Sequence, residues 1–290
     1  MQEILSKLRK YEIKIRKAIN TQMKGNFHSV FKGAGLEFSD VRDYIYGDDV
    51  RRIDWNVSAK GEGTYVKEFK EEKEQTVFFL LDVSASLEIG KNNYTKLQLA
   101  KEICGVLMLS AVKEDSHIGL ICFSDQKEKY IKPKKGLRYG YEAILNLFNL
   151  VPASKQTNLE QMLAFSLKML KRRCVIILVS DFIDENYLKN LQTLAQKHDL
   201  VIIQVYDTQE VDMPSLGIIP VFDNESGKTV WLNTSSTTLR EELAEKFETT
   251  KDNIQEISKK LKANYIAINT EDDFVAQLIK LFRVRRTKGK

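Results

Sequence analysis

The chain has 290 residues, 43% of them apolar, and 45 lysines and arginines against 40 aspartates and glutamates, a formal net charge of +5. That is enough for one large α/β domain or two modest ones, and it excludes global disorder. Four prolines, 14 glycines and three cysteines without a CxxC pair exclude collagen-like, proline-rich, disulfide-framework and zinc-finger architectures. With three histidines, Cys/His metal sites have almost no ligands to draw on. Cys104, Cys122 and Cys174 lie in apolar surroundings and read as small buried residues.

The charge is concentrated at the ends. Residues 1–35 carry a net +6 and the last eight, RVRRTKGK, carry +5, which leaves −6 for residues 36–282. Basic ends suit phosphate-bearing or acidic partners. No nucleic-acid motif and no basic stripe interleaved with aromatics accompanies them, so nucleic acid is not expected and the tail at 283–290 reads as solvated. No run approaches the roughly 18–20 apolar residues of a membrane span. The N-terminus MQEILSKLRKYEIKIRK lacks the apolar core of a signal peptide. The expected compartment is the cytoplasm.

In chain order, residues 1–24 read as a basic amphipathic helix, with Ile4, Leu8, Tyr11, Ile15 and Ile19 on one stripe. Docking on its own domain is the favoured reading. Peripheral membrane contact through residues 1–24 comes second, because the helix lacks the bulky Trp/Phe face of interfacial anchors. Residues 25–75 are rich in Gly, Asp, Arg and aromatics with weak periodicity, which predicts a small irregular unit with short strands.

From Thr76 the pattern alternates. Strands are predicted at Val77–Asp82, His117–Phe123, Cys174–Ser180, Leu200–Tyr206 and Tyr265–Ile268, with a short edge strand at Lys129–Ile131. Helices are predicted at Lys96–Val112, Tyr141–Leu150, Leu159–Leu170, Glu185–His198, Thr238–Lys262 and Asp273–Phe282. Ile218–Phe222 and Thr229–Leu232 read as a hairpin. Apolar strands alternating with amphipathic helices predict an α/β fold, a doubly wound, mostly parallel sheet over residues 76–282.

Ligands of a doubly wound sheet bind at the carboxyl ends of its strands. There the first strand ends in Asp82-Val83-Ser84-Ala85-Ser86 and the fourth in Ser180-Asp181, with Thr157 on the loop entering a helix between them. Two carboxylates and three hydroxyls are hard oxygen donors that suit Mg²⁺ or Mn²⁺, with Ca²⁺ a further candidate. With only two anionic ligands the ion keeps positive character and can accept a carboxylate from a partner. A lone DxSxS also arises as a helix cap or turn. Its place after an apolar strand, with Thr157 and Asp181 on the proper later loops, favours the metal reading. Asp184 and Asp125 are acidic neighbours read as solvated surface groups.

This DxSxS…T…D set resembles the metal-ion-dependent adhesion site (MIDAS) of von Willebrand factor A domains. The stretch before it, GAGLEFSDVRDYIYGDDVRRIDWNVSAK (residues 33–60), followed by Tyr65-Val66-Lys67-Glu68-Phe69, is similar to the hallmark of the DUF58 family. Gly33, Gly35, Glu37, Phe38, Arg42, Tyr44, Gly47, Asp48, Asp49, Arg51, Asp54 and Trp55 carry that resemblance. It implies an A-type fold, a divalent-metal site made by Asp82, Ser84, Ser86, Thr157 and Asp181, and partnership with a MoxR-type AAA+ ATPase. Where the family often has Met after the motif, Leu87 stands here.

Within residues 33–60, Arg–carboxylate pairing that holds an irregular segment is favoured over a recognition surface. Gly47-Asp48-Asp49 reads as a turn and Trp55 as the apolar anchor.

Two function classes remain: a non-catalytic, metal-dependent protein-interaction module, and a Mg²⁺-dependent phosphoryl-transfer or hydrolase enzyme using the same two aspartates. The module is favoured. No GxxxxGK[ST] loop and no GxSxG elbow occurs, and Ser84 stands where a haloacid-dehalogenase phosphatase needs its second Asp. His28, His117 and His198 have no adjacent nucleophile. His117 and His198 read as structural, with His198 at a helix C-terminus where it can meet the dipole.

Overall fold

The apolar stripe of the N-terminal helix decides where that helix lies. In α1 (Gln2–Met23) Leu8 and Ile15 are fully buried, and Ile4 and Tyr11 pack against the same core. The computed structural model describes residues 2–23, 34–59, 61, 63–72, 75–91, 94–184, 186–211, 215–223 and 228–288. The chain separates into two compact units: Met1–Phe31 with Thr76–Lys290, and Lys32–Gln75.

In the small unit β1 (Ala34–Asp43) pairs antiparallel with β2 (Tyr65–Glu72), with two register shifts. Val50–Arg52 forms a 3₁₀ turn between them, followed by the single-turn helix α2 (Trp55–Ser58). The expected irregular segment is thus a bulged ladder. The charged residues hold it. Arg42 donates to both oxygens of Asp48 at 2.7 Å, Asp49 accepts from the Arg51 amide, and Asp54 caps α2 through the Asn56 and Val57 amides. Gly47, with φ +109°, makes the turn, a region that favours glycine.

Trp55 is not the anchor expected of it: it is 67% exposed. Ile53 and Val66, bridged across the ladder, are the buried apolar pair. Two strands and one helical turn present too little surface to enclose an indole. Gly33 lies outside the described residues, as do the side chains of Glu37 and Phe38. Gly35 sits in β1, Tyr44 donates its amide to the Thr64 carbonyl, and Arg51 lies in the 3₁₀ turn.

The large unit continues with β3 (Thr76–Asp82), a 3₁₀ turn (Ala85–Glu88), the short pair β4 (Gly90–Lys91) and β5 (Tyr94–Thr95), α3 (Lys96–Lys113), β6 (His117–Phe123), β7 (Lys127–Lys134) and α4 (Leu137–Phe148). Then come α5 (Leu159–Met169), β8 (Val175–Ser180), α6 (Leu188–Lys197), β9 (Asp199–Tyr206), α7 (Thr208–Val211), β10 (Ile218–Asp223), β11 (Lys228–Asn233), α8 (Thr237–Lys260), β12 (Asn264–Asn269) and α9 (Phe274–Lys288).

Six strands form the main sheet in the order β12-β9-β8-β3-β6-β7, all parallel except edge strand β7. This is the doubly wound, mostly parallel α/β architecture expected from the alternation. The period of two along β3 feeds both faces. Val77, Phe79 and Leu81 enter a core with α1, α3, α4 and α9, while Phe78 and Leu80 enter one with α5, α6 and Ile254 of α8. Each such side chain contributes roughly 1.5–3 kcal/mol. The three cysteines are buried and free.

Helix α1 crosses α3 closely at Gly105, where a Cβ would meet Leu8 Cδ1 at 2.8 Å. Lys7–Glu102 (2.5 Å), Lys14–Asp273 (2.9 Å) and Lys113–Glu12 ion pairs flank the contact. Four residues of the stripe, Ile4, Leu8, Tyr11 and Ile15, take part in this packing. Among the described residues no helix is long and apolar enough to cross a membrane.

Several bounds differ from expectation. Edge strand β7 has eight residues because its pairing with β6 outweighs its lysines. Helix α6 starts at Leu188, after Asn186 takes a left-handed φ of 62°. Helix α9 runs on to Lys288, through the basic tail, because no Gly or Pro intervenes before Gly289. The β10–β11 pair forms the expected hairpin, and its turn, residues 224–227, lies outside the described residues.

Candidate metal centre

The chain runs from β3 to β6 on one side of the sheet and then crosses to β8 on the other. The crevice between the carboxyl ends of β3 and β8 is therefore the switch point where doubly wound folds bind ligands. Asp82 ends β3 there with 0% exposure. Its Oδ1 accepts from the Ser84 amide (2.9 Å) and the Ser84 hydroxyl (2.6 Å), and its Oδ2 accepts from the Ser180 hydroxyl (2.7 Å). Ser84 Oγ and Ser86 Oγ are 3.0 Å apart. Since Ser84 donates to Asp82, Ser86 donates to Ser84.

Asp181 follows Ser180 directly and is also buried. Its Oδ1 accepts from the Ile183 amide (3.2 Å), and its carbonyl from Gln204 Nε2 (3.2 Å). Burial first, and then the charge of Asp181, push the Asp82 carboxyl up to about 7, against the hydrogen bonds from Ser84 and Ser180. Among the described residues no cationic side chain pairs with Asp82.

Thr157, half-buried, reaches this edge on the loop after α4. The Ala85 amide donates to the Lys155 carbonyl (3.0 Å) and the Asn158 amide to the Ser124 carbonyl (3.3 Å). These bonds tie the Thr157 loop to the DxSxS loop and to the end of β6. Glu128 braces the same loop. It accepts from the Ala153 amide (2.8 Å), the Ser154 amide (3.0 Å) and the Ser124 hydroxyl (2.7 Å).

Although burial would raise it, those hydrogen bonds hold the Glu128 carboxyl below its ordinary range. A depressed carboxylate contributes stability above its unfolded pKa and loses it as pH falls through the folded one. Glu128→Gln is expected to speed amide hydrogen exchange at Ala153 and Ser154 by about tenfold near neutral pH, with the sheet unaffected. Unchanged exchange would remove Glu128 from this role.

The sequence reading missed a cation. Lys96, the first residue of α3, has 0% exposure and donates to Asp181 Oδ2 (2.8 Å) and Glu210 Oε1 (2.5 Å). Burial works against its charge, but Asp181 and Glu210 together hold its pKa above the usual lysine value. Glu210 Oε2 accepts from the Asp207 amide (3.1 Å), and burial raises this carboxyl in spite of Lys96. A signal for Lys96 was present: a lysine in the first turn opposes the positive end of the helix dipole and needs a compensating anion. Nothing local marks Glu210.

Asp184 is half-buried and accepts from the Leu159 amide (2.5 Å) at the start of α5, and Asp125 accepts from the Ser124 hydroxyl. Both are bound into loop structure, where the sequence reading took them as solvated. His198 is buried beside Cys174 Sγ (3.4 Å to Nδ1), and burial lowers its pKa. It is a neutral core group rather than a charged partner for the α6 dipole.

The donor set fits a hard cation. Asp82 is a buried carboxylate short of positive charge, and the Ser84 and Ser86 hydroxyls converge beside it. Among the described residues no three His, Cys, Asp or Glu side chains gather, so hydroxyls must complete such a shell.

Comparison with known proteins yields relatives without assigned roles. Uncharacterised proteins of Mycobacterium bovis (Mb1516) and Mycobacterium tuberculosis (Rv1480) are each 22% identical over 287 residues, 98% of this chain and 90% of theirs. Among solved structures, the conserved hypothetical protein BatB of Bacteroides thetaiotaomicron is 16% identical with a TM-score of 0.48, covering 73% of this chain and 99% of that one. The SpRpn10 VWA domain is 13% identical with a TM-score of 0.40, covering 71% and 94%. Residues 40–253 match the model of the family described as protein of unknown function DUF58, and the chain belongs to that family.

Proposed function

We propose that this protein is a metal-dependent protein-interaction module that docks a partner's carboxylate at the crevice between β3 and β8. The observation that carries the reading is Asp82: fully buried, short of positive charge, and joined to the Ser84 and Ser86 hydroxyls. Mg²⁺ or Mn²⁺, when bound, supplies positive charge and open coordination positions for an external carboxylate. Asp82, Ser84, Ser86 and Thr157 would hold it. Asp181 is already bonded through both oxygens, to Ile183 and to Lys96, and this favours its acting through water.

The residues at this edge bind and orient. Ser84 and Ser180 donate their hydroxyls to Asp82 but both are fully buried, so neither is presented to a substrate, and Ser84 supplies a hydroxyl where a phosphatase would need a second carboxylate. The module reading therefore stands ahead of an enzyme. The family resemblance suggests a MoxR-type AAA+ ATPase as partner, and co-elution with such an ATPase in Mg²⁺ but not in chelator would support that pairing.

Calorimetric titration of Mg²⁺ and Mn²⁺ into chelator-treated protein, beside Asp82→Ala, tests the centre. Binding by the wild type that vanishes in the variant is expected. Equal binding in both, or none in either, would reduce residues 82–86 to a turn.

A further inference from the structure

The main sheet has two outer strands, and the chain guards only one of them. On β7 stand Lys127, Lys129, Lys132, Pro133 and Lys134, the charges and proline that keep a further strand from pairing. By contrast β12, Asn264-Tyr265-Ile266-Ala267-Ile268-Asn269, carries neither charge nor proline. Among the described residues no strand pairs with its outer side, which leaves a row of backbone amides and carbonyls open there. Asn264 to Ala267 are only half-buried, whereas the neighbouring β9 is buried from Leu200 to Val205.

A groove of about 280 Å³ lies at the amino half of this edge, between α8 and α9, lined by Ser258, Lys259, Asn264, Ile266, Lys280 and Leu281. Ser258 is 2% exposed, and among the described residues its hydroxyl has no hydrogen-bond partner, a buried donor left for an incoming acceptor. Lys259 and Lys280 are exposed, and among the described residues no carboxylate bonds either; Glu256, near Lys259, bonds Lys260 (2.7 Å). Lys259 also suits the negative end of the α8 dipole, but Lys280 stands in mid-helix and has no such use. At the carboxyl end of β12 the sign reverses. Glu271, Asp272 and Asp273 follow the strand. Glu271 bonds Lys91 and Asp273 bonds Lys14, while Asp272 is exposed and has no cation bonded to it among the described residues.

We propose that β12 pairs antiparallel with β12 of a second copy of this chain, across a two-fold axis through the middle of the strand. An antiparallel pair sets the amino half of one strand against the carboxyl half of the other. Lys259 and Lys280 of each copy then come against the Asp272 end of the other. The edge is self-complementary, an uncharged strand between a basic and an acidic end. A foreign acidic strand would suit the lysine end and meet Asp272 at the other, and a basic strand the reverse. The edge lies two strands beyond β8, so the pairing is independent of the carboxylate-docking reading.

Sedimentation equilibrium of the full chain in chelator is expected to show a reversible dimer with a dissociation constant of about 10 μM, weak because one strand edge is a small interface. Lys280→Glu should raise that constant at least about tenfold. Lys280→Asp/Asp272→Lys restores opposite signs and should return it to within about threefold of the wild type. Alternate amides of β12 should exchange more slowly as the chain concentration rises through the dissociation constant. Asp272 accepts from the Asn269 amide (3.2 Å), and should its replacement loosen that turn, Lys259→Glu repeats the charge test.

A chain that stays monomeric well above that concentration overturns the proposal. A dimer indifferent to the charge variants, or one that leaves the β12 amides unprotected, places the contact elsewhere and overturns it as well. A monomer whose β12 amides slow only on adding the peptide Val-Glu-Val-Glu-Val-Glu would give the edge to a foreign strand. A monomer with every β12 amide already protected would give it to another segment of the same chain. Either result overturns self-pairing and leaves the Mg²⁺ titration to decide the metal centre separately.

Discussion

Lys96→Met is expected to destabilise the metal-free protein by about 3–5 kcal/mol at neutral pH and to raise its Mg²⁺ affinity at least about tenfold. Lys96, with no exposure, holds the buried Asp181 and the partly exposed Glu210, and removing one partner of such an ionic group leaves uncompensated charge. The same charge repels a divalent ion at the neighbouring ligands. At an effective dielectric of about 20, a unit charge 4 Å away is worth roughly 4 kcal/mol, and about 1.4 kcal/mol is a decade of affinity.

Urea denaturation with and without Mg²⁺, together with calorimetry, reads both effects. Lys96→Met/Glu210→Gln removes one carboxylate charge along with the lysine and should recover much of the stability while keeping part of the affinity gain. Unchanged Mg²⁺ affinity in that double variant would show that Lys96 does not act on the centre. An ion that must compete with a resident ammonium keeps more of its own charge for an incoming carboxylate, which links Lys96 to the proposed docking.

The second large effect concerns Asp82. An aspartate in the unfolded chain titrates near 3.8, whereas burial holds Asp82 at about 7 in the folded one. Between about pH 4 and 7 the unfolded state has released a proton that the folded state keeps. Stability of the metal-free protein is therefore full below the unfolded value and is lost as pH rises through the folded one.

Asp82→Asn cannot ionise and escapes that loss. It is expected to be more stable than the wild type by about 1–3 kcal/mol at pH 8 without metal, about equal to it at pH 4, and unable to bind Mg²⁺. Added Mg²⁺ should close the gap at pH 8 by stabilising only the wild type. A metal-free wild type that gains stability from pH 4 to 8 relative to Asp82→Asn would contradict this account of the site.

Much of the architecture is legible in local pattern. The alternating burial of Val77 to Leu81, the stripe through Leu8 and Ile15, and the caps at Thr95, Asn158 and Ser236 all follow from periodicity and side-chain chemistry within a few residues. Asp82, Ser84 and Ser86 could be grouped for the same reason: they lie within five residues on one turn. Thr157 and Asp181 needed the doubly wound topology as well, because only the sheet order brings their loops to the end of β3.

Charge partners were the harder part. Glu210 lies 114 residues from Lys96, and no periodicity links them. Trp55 looked like an anchor on hydrophobicity alone, but burial depends on what surface its unit can offer. An apolar cavity lined in part by Asp181 is likewise invisible in the sequence, since its walls come from strand ends, a hairpin and a late helix.

By itself, then, the sequence determined the alternating strands and helices, the doubly wound class and the hydroxyl-rich loop after β3, because short-range periodicity and capping encode them. Only the tertiary structure decided that Lys96 sits on Asp181 and Glu210 and that Asp181 also lines an apolar cavity. Those features arise where distant segments meet, and the burial that gives them their energy exists only once the chain has closed around them.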